Sequence, residues 1–430
     1  MEEILEHFKN ISNIPRCSFH TEAIKPFIVN FAKKCNFKVH VDAADNILCT
    51  KGKPNLCLQA HYDMVCIGES AIELIQEGNI LRAKNSTLGA DNGMGMALMF
   101  WAMQHSDDLE CLFSANEEVG LLGASAFTLP LMSDYLLNLD SEEEGKICIG
   151  CAGGVDVIAE RFLEKKPLAS KMLIYEIKAV DFLGGHSGVD IDKQIPSAIK
   201  ALACELGRHE LELICFEGGD RRNAIAKDAR AIVASSSLPK LVDTRLVCTP
   251  LHEEFSFSIK ESTWIIHLLN AFAQGIRSWD KALNMPSVSI NIGCVSIKDD
   301  RLLIECAARA MDDENLAILA DETESFFKLA GCHTRQEHWH GAWKPNTGAF
   351  THRVRAIMQT VYPDVSLYAI HAGLECGELI SHQQKPIEAL SIGPTIRFPH
   401  SLREECDLDS IGRMKRVLDR IIQEVNHGIN

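Results

Sequence analysis

The sequence predicts an α/β protein in which a domain with a mostly parallel sheet is interrupted by an inserted α+β domain. Three observations support this prediction. Before Gly154, short apolar strand segments alternate with helices; after it, the strands are longer and alternate in polarity; and after about residue 346 the first pattern returns. We therefore expect residues 1–153 and 346–430 to form one domain and residues 154–345 the inserted domain.

The first domain begins with helical patterns and continues with short strands. Helices are predicted at MEEILEHFKNI, EAIKPFIVNFAKKC and MGMALMFWAMQH. Strands are predicted at FKVHVDAADNILCTKG, NLCLQAH, LECLFSA and YLLNLD. Because short apolar strands bounded by helices are covered on both faces, they are typical of a parallel sheet.

The inserted domain has a different sequence pattern, with longer strands of alternating polarity. Strands are predicted at KMLIYEIKAV, EEFSFSIK and VSINIGCVSIKDDRLLIECAARA, and helices at PSAIKALACELGRH, STWIIHLLNAFAQGIRSW and ENLAILADETESFFKLAG. After the turn residues of AWKPNTG, the first domain resumes with a helix at HRVRAIMQTVY, a strand near IEALSIG and a helix at SIGRMKRVLDRIIQEV.

Composition excludes several classes of function. The chain has 43 Lys and Arg against 59 Asp and Glu, a net charge of −16, which argues against nucleic-acid binding. No segment is long and apolar enough for a membrane helix, and the N-terminus does not resemble a secretory signal. The 16 cysteines are scattered through apolar segments, which predicts free thiols in a reducing cytoplasm. The pair Cys148 and Cys151 forms a CxxC that we interpret as structural, because no second pair accompanies it.

Ligand-type side chains stand at strand ends or turns in five places. These are HYD with His61 and Asp63, GADNG with Asp91, NEE with Glu117 and Glu118, NLDSEEE with Asp140, and PHS with His400. The carboxyl ends of parallel strands meet at one edge of a sheet, so the three strands that end at His61, at the glutamates and at Asp140 would bring those groups to one edge.

Such a cluster repels itself unless cations occupy it. Carboxylates and imidazoles without cysteine suit zinc, manganese or cobalt, and two ions bridged by one carboxylate would account for the number of ligands. Each residue also has an ordinary interpretation. His400 alone would be structural, Asp91 a turn former, and the adjacent glutamates a solvated pair. Their joint placement favours the metal site.

These motifs, together with GGHSGVDI, HAGLECG and GPTIRFPHS, resemble those of the M20 metallopeptidase family, in particular its aminoacyl-histidine dipeptidase branch. The motifs follow the family's order along essentially the whole chain. The resemblance implies a zinc-peptidase-like catalytic domain, an inserted lid domain that also dimerises, and cytoplasmic hydrolysis of Xaa-His and other unblocked dipeptides. Other M20 activities, a tripeptidase or an N-acyl amino acid hydrolase, and a catalytically silent homologue are the alternatives.

The resemblance also implies roles for individual residues. Asp91 would bridge two divalent ions, most simply Zn²⁺ with Co²⁺ or Mn²⁺ possible; His61 and Asp140 would complete one site, and Glu118 and His400 the other. Asp63 would orient His61, and Glu117 would take a proton from the bridging water. A cis peptide is expected at Asp91–Asn92.

Substrate recognition is expected mainly from the inserted domain. By resemblance, His186 would stabilise the oxyanion, and Asn223 and Arg309 would hold the substrate's terminal carboxylate. Gly373, with Glu375, would shape the pocket for the free amino group from the resumed catalytic domain. The partners expected are a small peptide substrate and a second copy of the chain, with neither nucleic acid nor membrane.

Overall fold

The computed structural model of the protein describes residues 1–169 and 171–427. Within these ranges the helices are α1 Glu2–Ser12, α2 Ile24–Lys34, α3 Ala90–His105, α4 Leu122–Ser125, α5 Ala198–Leu206, α6 Ser262–Ala271, α7 Asp313–Leu329, α8 Ala349–Gln359, α9 Glu375–Ser381 and α10 Leu408–His427. No helix in these ranges is both long and apolar enough to cross a membrane.

The strands of the described ranges follow in chain order. They are β1 Lys38–Val41, β2 Ile47–Lys51, β3 Leu56–His61, β4 Gly68–Glu77, β5 Ile80–Ser86, β6 Leu109–Ser114, β7 Tyr135–Asn138, β8 Lys146–Cys151, β9 Gly153–Phe162, β10 Lys165–Pro167, β11 Leu173–Ala179, β12 Gly185–His186, β13 Glu212–Gly218, β14 Ala224–Ile225, β15 Ala229–Ser235, β16 Leu246–Leu251, β17 Phe257–Ile259, β18 Gly275–Asp280, β19 Met285–Lys298, β20 Arg301–Ala310, β21 His333–His340, β22 Ser366–Ile370, β23 Glu388–Ser391, β24 Ile396–Arg397 and β25 Glu405–Asp407.

The chain divides into two compact units. Unit 1 comprises Met1–Cys151, Trp343–Ala369 and Leu374–Asn430, and unit 2 comprises Ala152–Ala342 and Ile370–Gly373. The short return of the chain to unit 2 includes Gly373, which the sequence pattern had assigned to the resumed catalytic domain. The backbone N–H of Ala152 donates to the carbonyl of Ile370 at 2.9 Å, which ties this return to the start of unit 2.

Unit 1 is built on an eight-stranded sheet in the order β1-β2-β6-β3-β7-β23-β8-β22. The central strands β6, β3, β7 and β23 are parallel to one another, whereas β1, β2 and β8 pair in the antiparallel sense. The sheet is therefore mixed, with a parallel centre. Strands β3 and β6 are buried along their whole length, and the apolar helix α3 is buried on nearly all sides, as expected of elements inside layers.

Unit 2 has a nine-stranded sheet in the order β16-β11-β15-β13-β19-β20-β9-β21, with β18 paired to β19. Its named strand pairs are antiparallel, as the alternating pattern predicts. One predicted helix is too long, because α6 ends at Ala271 and β18 occupies Gly275–Asp280. Phe272 leaves helical geometry with ψ 117°, and Gly275 takes a φ of 112°, which turns the chain into the ladder with β19.

The prediction that all cysteines are free thiols is wrong at one pair. Cys17 and Cys66 form a disulfide across 49 residues of sequence. The segment around Cys17 pairs with Met64, since Met64 N–H donates to the carbonyl of Arg16 at 3.0 Å. This pairing brings the two thiols together, and no sequence spacing reveals it. The other 14 cysteines, including Cys148 and Cys151, are not joined in disulfides.

Candidate metal centre and a second polar cluster

The ends of three adjacent strands deliver polar side chains to one edge of the unit 1 sheet. His61 is the last residue of β3, Asp140 lies two residues after β7, and Glu117 lies three residues after β6. These strands are neighbours and run parallel, so the prediction that they share this edge is confirmed. Two further segments reach the same place, the start of α3 with Asp91 and the turn between β24 and β25 with His400.

The five predicted ligands form two groups that share Asp91. The first group is His61, Asp91 and Asp140, and the second is Asp91, Glu118 and His400. In the first, His61 Nε2 lies 3.1 Å from Asp91 Oδ1 and 3.3 Å from Asp140 Oδ1. In the second, His400 Nε2 lies 3.0 Å from Asp91 Oδ2 and 2.8 Å from Glu118 Oε2. Each oxygen of Asp91 thus faces a different group. The peptide Asp91–Asn92 is cis.

Asp63 lies directly behind His61. It is fully buried, and His61 Nδ1 lies 3.2 Å from its main-chain oxygen and 3.6 Å from its Oδ1, so the two ring nitrogens face different partners. Asp63 Oδ1 also accepts the backbone N–H of Glu117 at 3.0 Å, and its Oδ2 accepts the Ser18 hydroxyl at 2.8 Å. One carboxylate therefore links the histidine at the end of β3 to the glutamates after β6.

Arg16 supports the same segment from the other side, and the sequence pattern did not identify it. Its guanidinium is buried and donates to the backbone carbonyls of Tyr62, at 3.2 Å, Asp63, at 2.8 Å, and Gly89. Because only backbone oxygens accept these bonds, no residue type in the sequence could have marked the partners.

The buried carboxylates of the site crowd together, and this raises the pKa values of several groups around them. Burial, reinforced by Glu118, Asp140 and Glu375 and opposed by His61, raises the pKa of Glu117 well above its usual range. Burial opposes a charge on His400, but hydrogen bonds to Asp91 and Glu118 outweigh it and raise the pKa of His400 to about 11. In the protein alone, protons and imidazolium groups partly neutralise charge that divalent cations would neutralise better.

The residues present fit two divalent ions. A tetrahedral zinc with bonds of roughly 2.0–2.2 Å separates its ligand atoms by roughly 3.3 Å, and the donor separations above fall within about half an ångström of that value. Among the described residues, Glu118 Oε1 is a buried oxygen that lacks a hydrogen-bond partner. Three carboxylates and two imidazoles form a donor set suited to Zn²⁺, Mn²⁺ or Co²⁺. Glu117 also lies within ligand distance of His61 and Glu118.

A buried polar network lies beneath this centre. Glu375 is fully buried, and its Oε2 accepts from Gln59 Nε2 at 2.5 Å and from the Ser114 hydroxyl at 2.7 Å. Gln59 in turn accepts from Asn138 at 2.5 Å. Burial raises the pKa of Glu375 to about 7, with Asp140 adding to the shift. The network joins the ends of β3, β6 and β7 to the start of α9. The sequence pattern predicted neither this network nor helix α9.

The predicted substrate-binding residues lie in unit 2. His186 is on β12, and the neighbouring Ser187 N–H donates to the carbonyl of Asn223 at 2.8 Å, so these two segments are paired. Arg309 is on β20 opposite Ser289, and it is largely buried. Gly373 is half-buried in the connection between β22 and α9.

The buried His371 and the half-buried His340 accompany Arg309, and sequence reasoning missed both. His371 Nε2 contacts the Ser289 hydroxyl at 2.7 Å, and its main-chain oxygen packs against Gly188 of the GGHSG turn. Burial and the charge of Arg309 lower the pKa of His371 to about 3. Burial and Arg309 likewise lower the pKa of His340 to about 4. The arginine thus stands among neutral rings.

No model of a protein family matches the chain. Among curated proteins, the cytosol non-specific dipeptidase of Escherichia coli K12 is 33% identical over 472 aligned positions, which cover 97% of this chain and 96% of the relative. The crystal structure of aminoacylhistidine dipeptidase from Vibrio alginolyticus matches with a TM-score of 0.77 and 27% identity, covering 97% of this chain and 96% of that one.

A tripeptidase from Staphylococcus aureus matches with a TM-score of 0.60 and 15% identity, covering 99% of this chain and 98% of that one, and shows similarity of fold. The identity to the Escherichia coli relative extends over nearly the full length of both chains, and the motifs predicted to carry the site lie within it. The chain belongs to the M20 metallopeptidase family, in the branch that contains the aminoacyl-histidine and cytosol non-specific dipeptidases.

Proposed function

We propose that the chain is a two-metal dipeptidase that hydrolyses Xaa-His and other unblocked dipeptides. The observation that carries the proposal is the placement of Asp91, whose two carboxylate oxygens face two separate ligand groups. The names of the relatives from Escherichia coli and Vibrio alginolyticus support the substrate class. Zinc is the metal we favour, with cobalt and manganese as the alternatives that the same donors accept.

His61, Asp91 and Asp140 would hold one ion, and Asp91, Glu118 and His400 the other. When bound, such ions would polarise the peptide carbonyl and lower the pKa of a metal-bound water to near neutrality. Asp63 keeps His61 Nε2 directed at Asp91 and Asp140 by facing Nδ1. It also holds the backbone of Glu117, so one residue positions both a ligand and the base.

Glu117 is the residue to which we assign proton transfer. The two groups that share Asp91 already use five ligands, which leaves the Glu117 carboxylate for chemistry although it lies near them. Burial and the neighbouring carboxylates raise its pKa, and cations would lower the pKa again, toward the range that suits a general base. Glu117 would accept a proton from the attacking water and pass it to the leaving amine.

We assign stabilisation of the developing oxyanion to His186. Its Nδ1 accepts the backbone N–H groups of Gly188 and Val189 at 3.1 and 3.0 Å. A neutral ring with two donors at Nδ1 carries its proton on Nε2, so it presents an N–H to an oxygen. This is the tautomer that an oxyanion requires.

Arg309 and Asn223 would hold the terminal carboxylate of the substrate, and Gly373 with Glu375 would shape the pocket for its amino group. Burial and the charge of Arg309 lower the pKa of His371 to about 3 and of His340 to about 4, so these neighbouring rings add no positive charge of their own. The alternative within the family is a tripeptidase or an N-acyl amino acid hydrolase, which would share the two-metal centre and differ at the amino end.

The deciding experiment compares a free dipeptide with its N-acetylated form, using protein stripped by a chelator and reloaded with Zn²⁺, Co²⁺ or Mn²⁺. We expect activity to vanish on chelation, to return with metal, and to favour the free dipeptide. Preference for the acetylated form would establish the alternative. Full activity in protein verified to be metal-free would overturn the two-metal proposal.

We further propose that the enzyme is cytosolic and forms a homodimer through unit 2, which would serve as the lid. The name of the Escherichia coli relative supports the location, although a disulfide such as Cys17–Cys66 is uncommon in reducing compartments. Strand β16 ends the described ladder of the nine-stranded sheet and could pair with a second copy. Fractionation of cells and light scattering of the purified protein test the two statements.

A further inference from the structure

The side chain of Glu404 makes an unusual set of contacts. It is 3% exposed, and both of its oxygens accept backbone N–H groups from one turn of chain. Oε2 accepts from Leu88 at 2.9 Å and Gly89 at 3.0 Å, and Oε1 accepts from Ala90 at 2.8 Å and Asp91 at 3.3 Å. A single carboxylate therefore satisfies four consecutive donors at the start of α3, and it comes from 313 residues away in sequence.

These contacts connect two segments that carry ligands. Glu404 lies four residues after His400, and its own N–H donates to the carbonyl of Ser401 at 3.1 Å, so it belongs to the same turn. The N–H groups that it accepts end at Asp91, whose carboxylate faces both ligand groups. The backbone of the shared ligand and the turn of His400 are thus joined by one buried side chain.

Arg16 holds the opposite side of the same turn. Its Nη2 donates to the carbonyl of Gly89, while the N–H of Gly89 donates to Glu404. Gly89 has a φ of 67°, and a Cβ there would lie 2.7 Å from Arg16 Nη2, so only glycine fits between the two charged groups. A helix-capping carboxylate usually comes from within the first turn; here it comes from the segment that carries another ligand.

We propose that Glu404 is a positioning residue for the metal centre, which fixes the backbone of Asp91 relative to the turn of His400 so that both oxygens of Asp91 can bind. The inference rests on the proposed function, because it requires the two ions. Its specific claim is that Glu404, which belongs to neither ligand group, sets the affinity for both ions at once.

The test substitutes Glu404→Gln and titrates chelator-stripped protein with Zn²⁺ and with Co²⁺. The amide keeps one acceptor oxygen but turns an NH₂ toward two backbone donors, so it should release half of the turn. We expect metal affinity to fall about 10- to 100-fold at both sites, the visible spectrum of the Co²⁺ protein to change, and kcat to fall with little change in KM. The matched control is Glu405→Gln, since Glu405 pairs with Arg82 and Arg397 and should leave affinity and spectrum unchanged.

Wild-type affinity and an unchanged Co²⁺ spectrum in Glu404→Gln would refute the positioning role, even if the melting temperature of the metal-free protein fell. Should Glu404→Gln fail to fold, Glu404→Asp, which keeps the charge but shortens the reach, is measured in the same way. We expect weakened affinity there too, and wild-type affinity would again refute the role. Failure of the wild-type protein to bind two ions would instead overturn the proposed function.

Discussion

The polar clusters of unit 1 and unit 2 carry opposite excess charge. In unit 1, the carboxylates of Asp91, Glu117, Glu118 and Asp140 crowd around two imidazoles. In unit 2, the guanidinium of Arg309 stands near His340 and His371, whose pKa values burial and Arg309 lower to about 4 and about 3. The first arrangement suits cations and the second suits an anion.

The response of each cluster to burial shows the same contrast. Burial raises the pKa of Glu375 beneath the metal centre to about 7, whereas burial lowers the pKa of His371 to about 3. Both shifts favour the neutral form of the group. The neutral ring is the ordinary form of a histidine near pH 7, whereas carboxylates are ordinarily ionised there, and several that crowd together repel one another. This difference explains why the carboxylate cluster of unit 1 is the one that requires bound cations.

The largest effect we expect is from Glu117→Gln, which removes the proposed base but leaves both ligand groups intact. Hydrolysis of a free dipeptide should fall about 10²- to 10⁴-fold in kcat, with the metal content unchanged by elemental analysis. Glu143→Gln is the matched control, because Glu143 pairs with Lys146 and belongs to neither ligand group. Near-normal turnover by a fully metal-loaded Glu117→Gln protein would contradict the assignment.

A smaller effect is expected in unit 2 from Arg309→Lys. Lysine keeps the charge but loses the planar fork, so kcat/KM for a dipeptide should fall about 10- to 100-fold, mostly through KM. With a dipeptide amide, which lacks the terminal carboxylate, wild type and variant should perform alike. Arg301→Lys, on the same strand but paired with Glu160, provides the control. An equal loss of kcat/KM with the dipeptide and with its amide would contradict the proposal that Arg309 binds the terminal carboxylate.

The contrast between the units also separates what sequence could and could not predict. Strand ends identified His61, Asp140 and the adjacent glutamates, because polar residues that follow buried parallel strands lie together at the carboxyl edge of the sheet. Asp91 and His400 were grouped with them as ligand-type residues at turns, and the resemblance was needed to assign each to an ion. Arg16 and Glu404 escaped prediction because their partners are backbone atoms, which carry no residue-type signal.

Unit 2 was harder to predict for a related reason. Arg309 and His340 both pair with Gly154 of β9, so their proximity depends on the antiparallel pairing of strands far apart in the chain. The Cys17–Cys66 disulfide was missed in the same way, since it depends on a contact across 49 residues. Among the inserted strands, β11, β17, β19 and β20 followed from alternating polarity, whereas β9, β13, β15, β16 and β21 were not predicted. At β18 the predicted helix ended early, because Phe272 leaves helical geometry before the strand begins at Gly275.

The smallest predicted effect is a difference in acid sensitivity. The pKa of His371 is about 3 in the folded protein against a usual 6.5, so the folded state binds fewer protons than the unfolded state between these values. Its stabilisation is complete above about pH 6.5 and is lost as the pH falls toward 3. Between pH 7.5 and pH 5 this amounts to about 2 kcal/mol of unfolding free energy.

His371→Asn should therefore lose about 2 kcal/mol less than wild type over that interval, because the amide does not titrate. Hydrogen exchange of unit 2 amides, measured at both pH values on metal-loaded protein, reports this free energy for unit 2 separately from the metal centre. His267→Asn changes an exposed histidine of α6 and should behave like wild type. If His371→Asn and wild type lost stability in parallel, the neutral histidine beside Arg309 would be ruled out, and with it the contrast in charge between the two units.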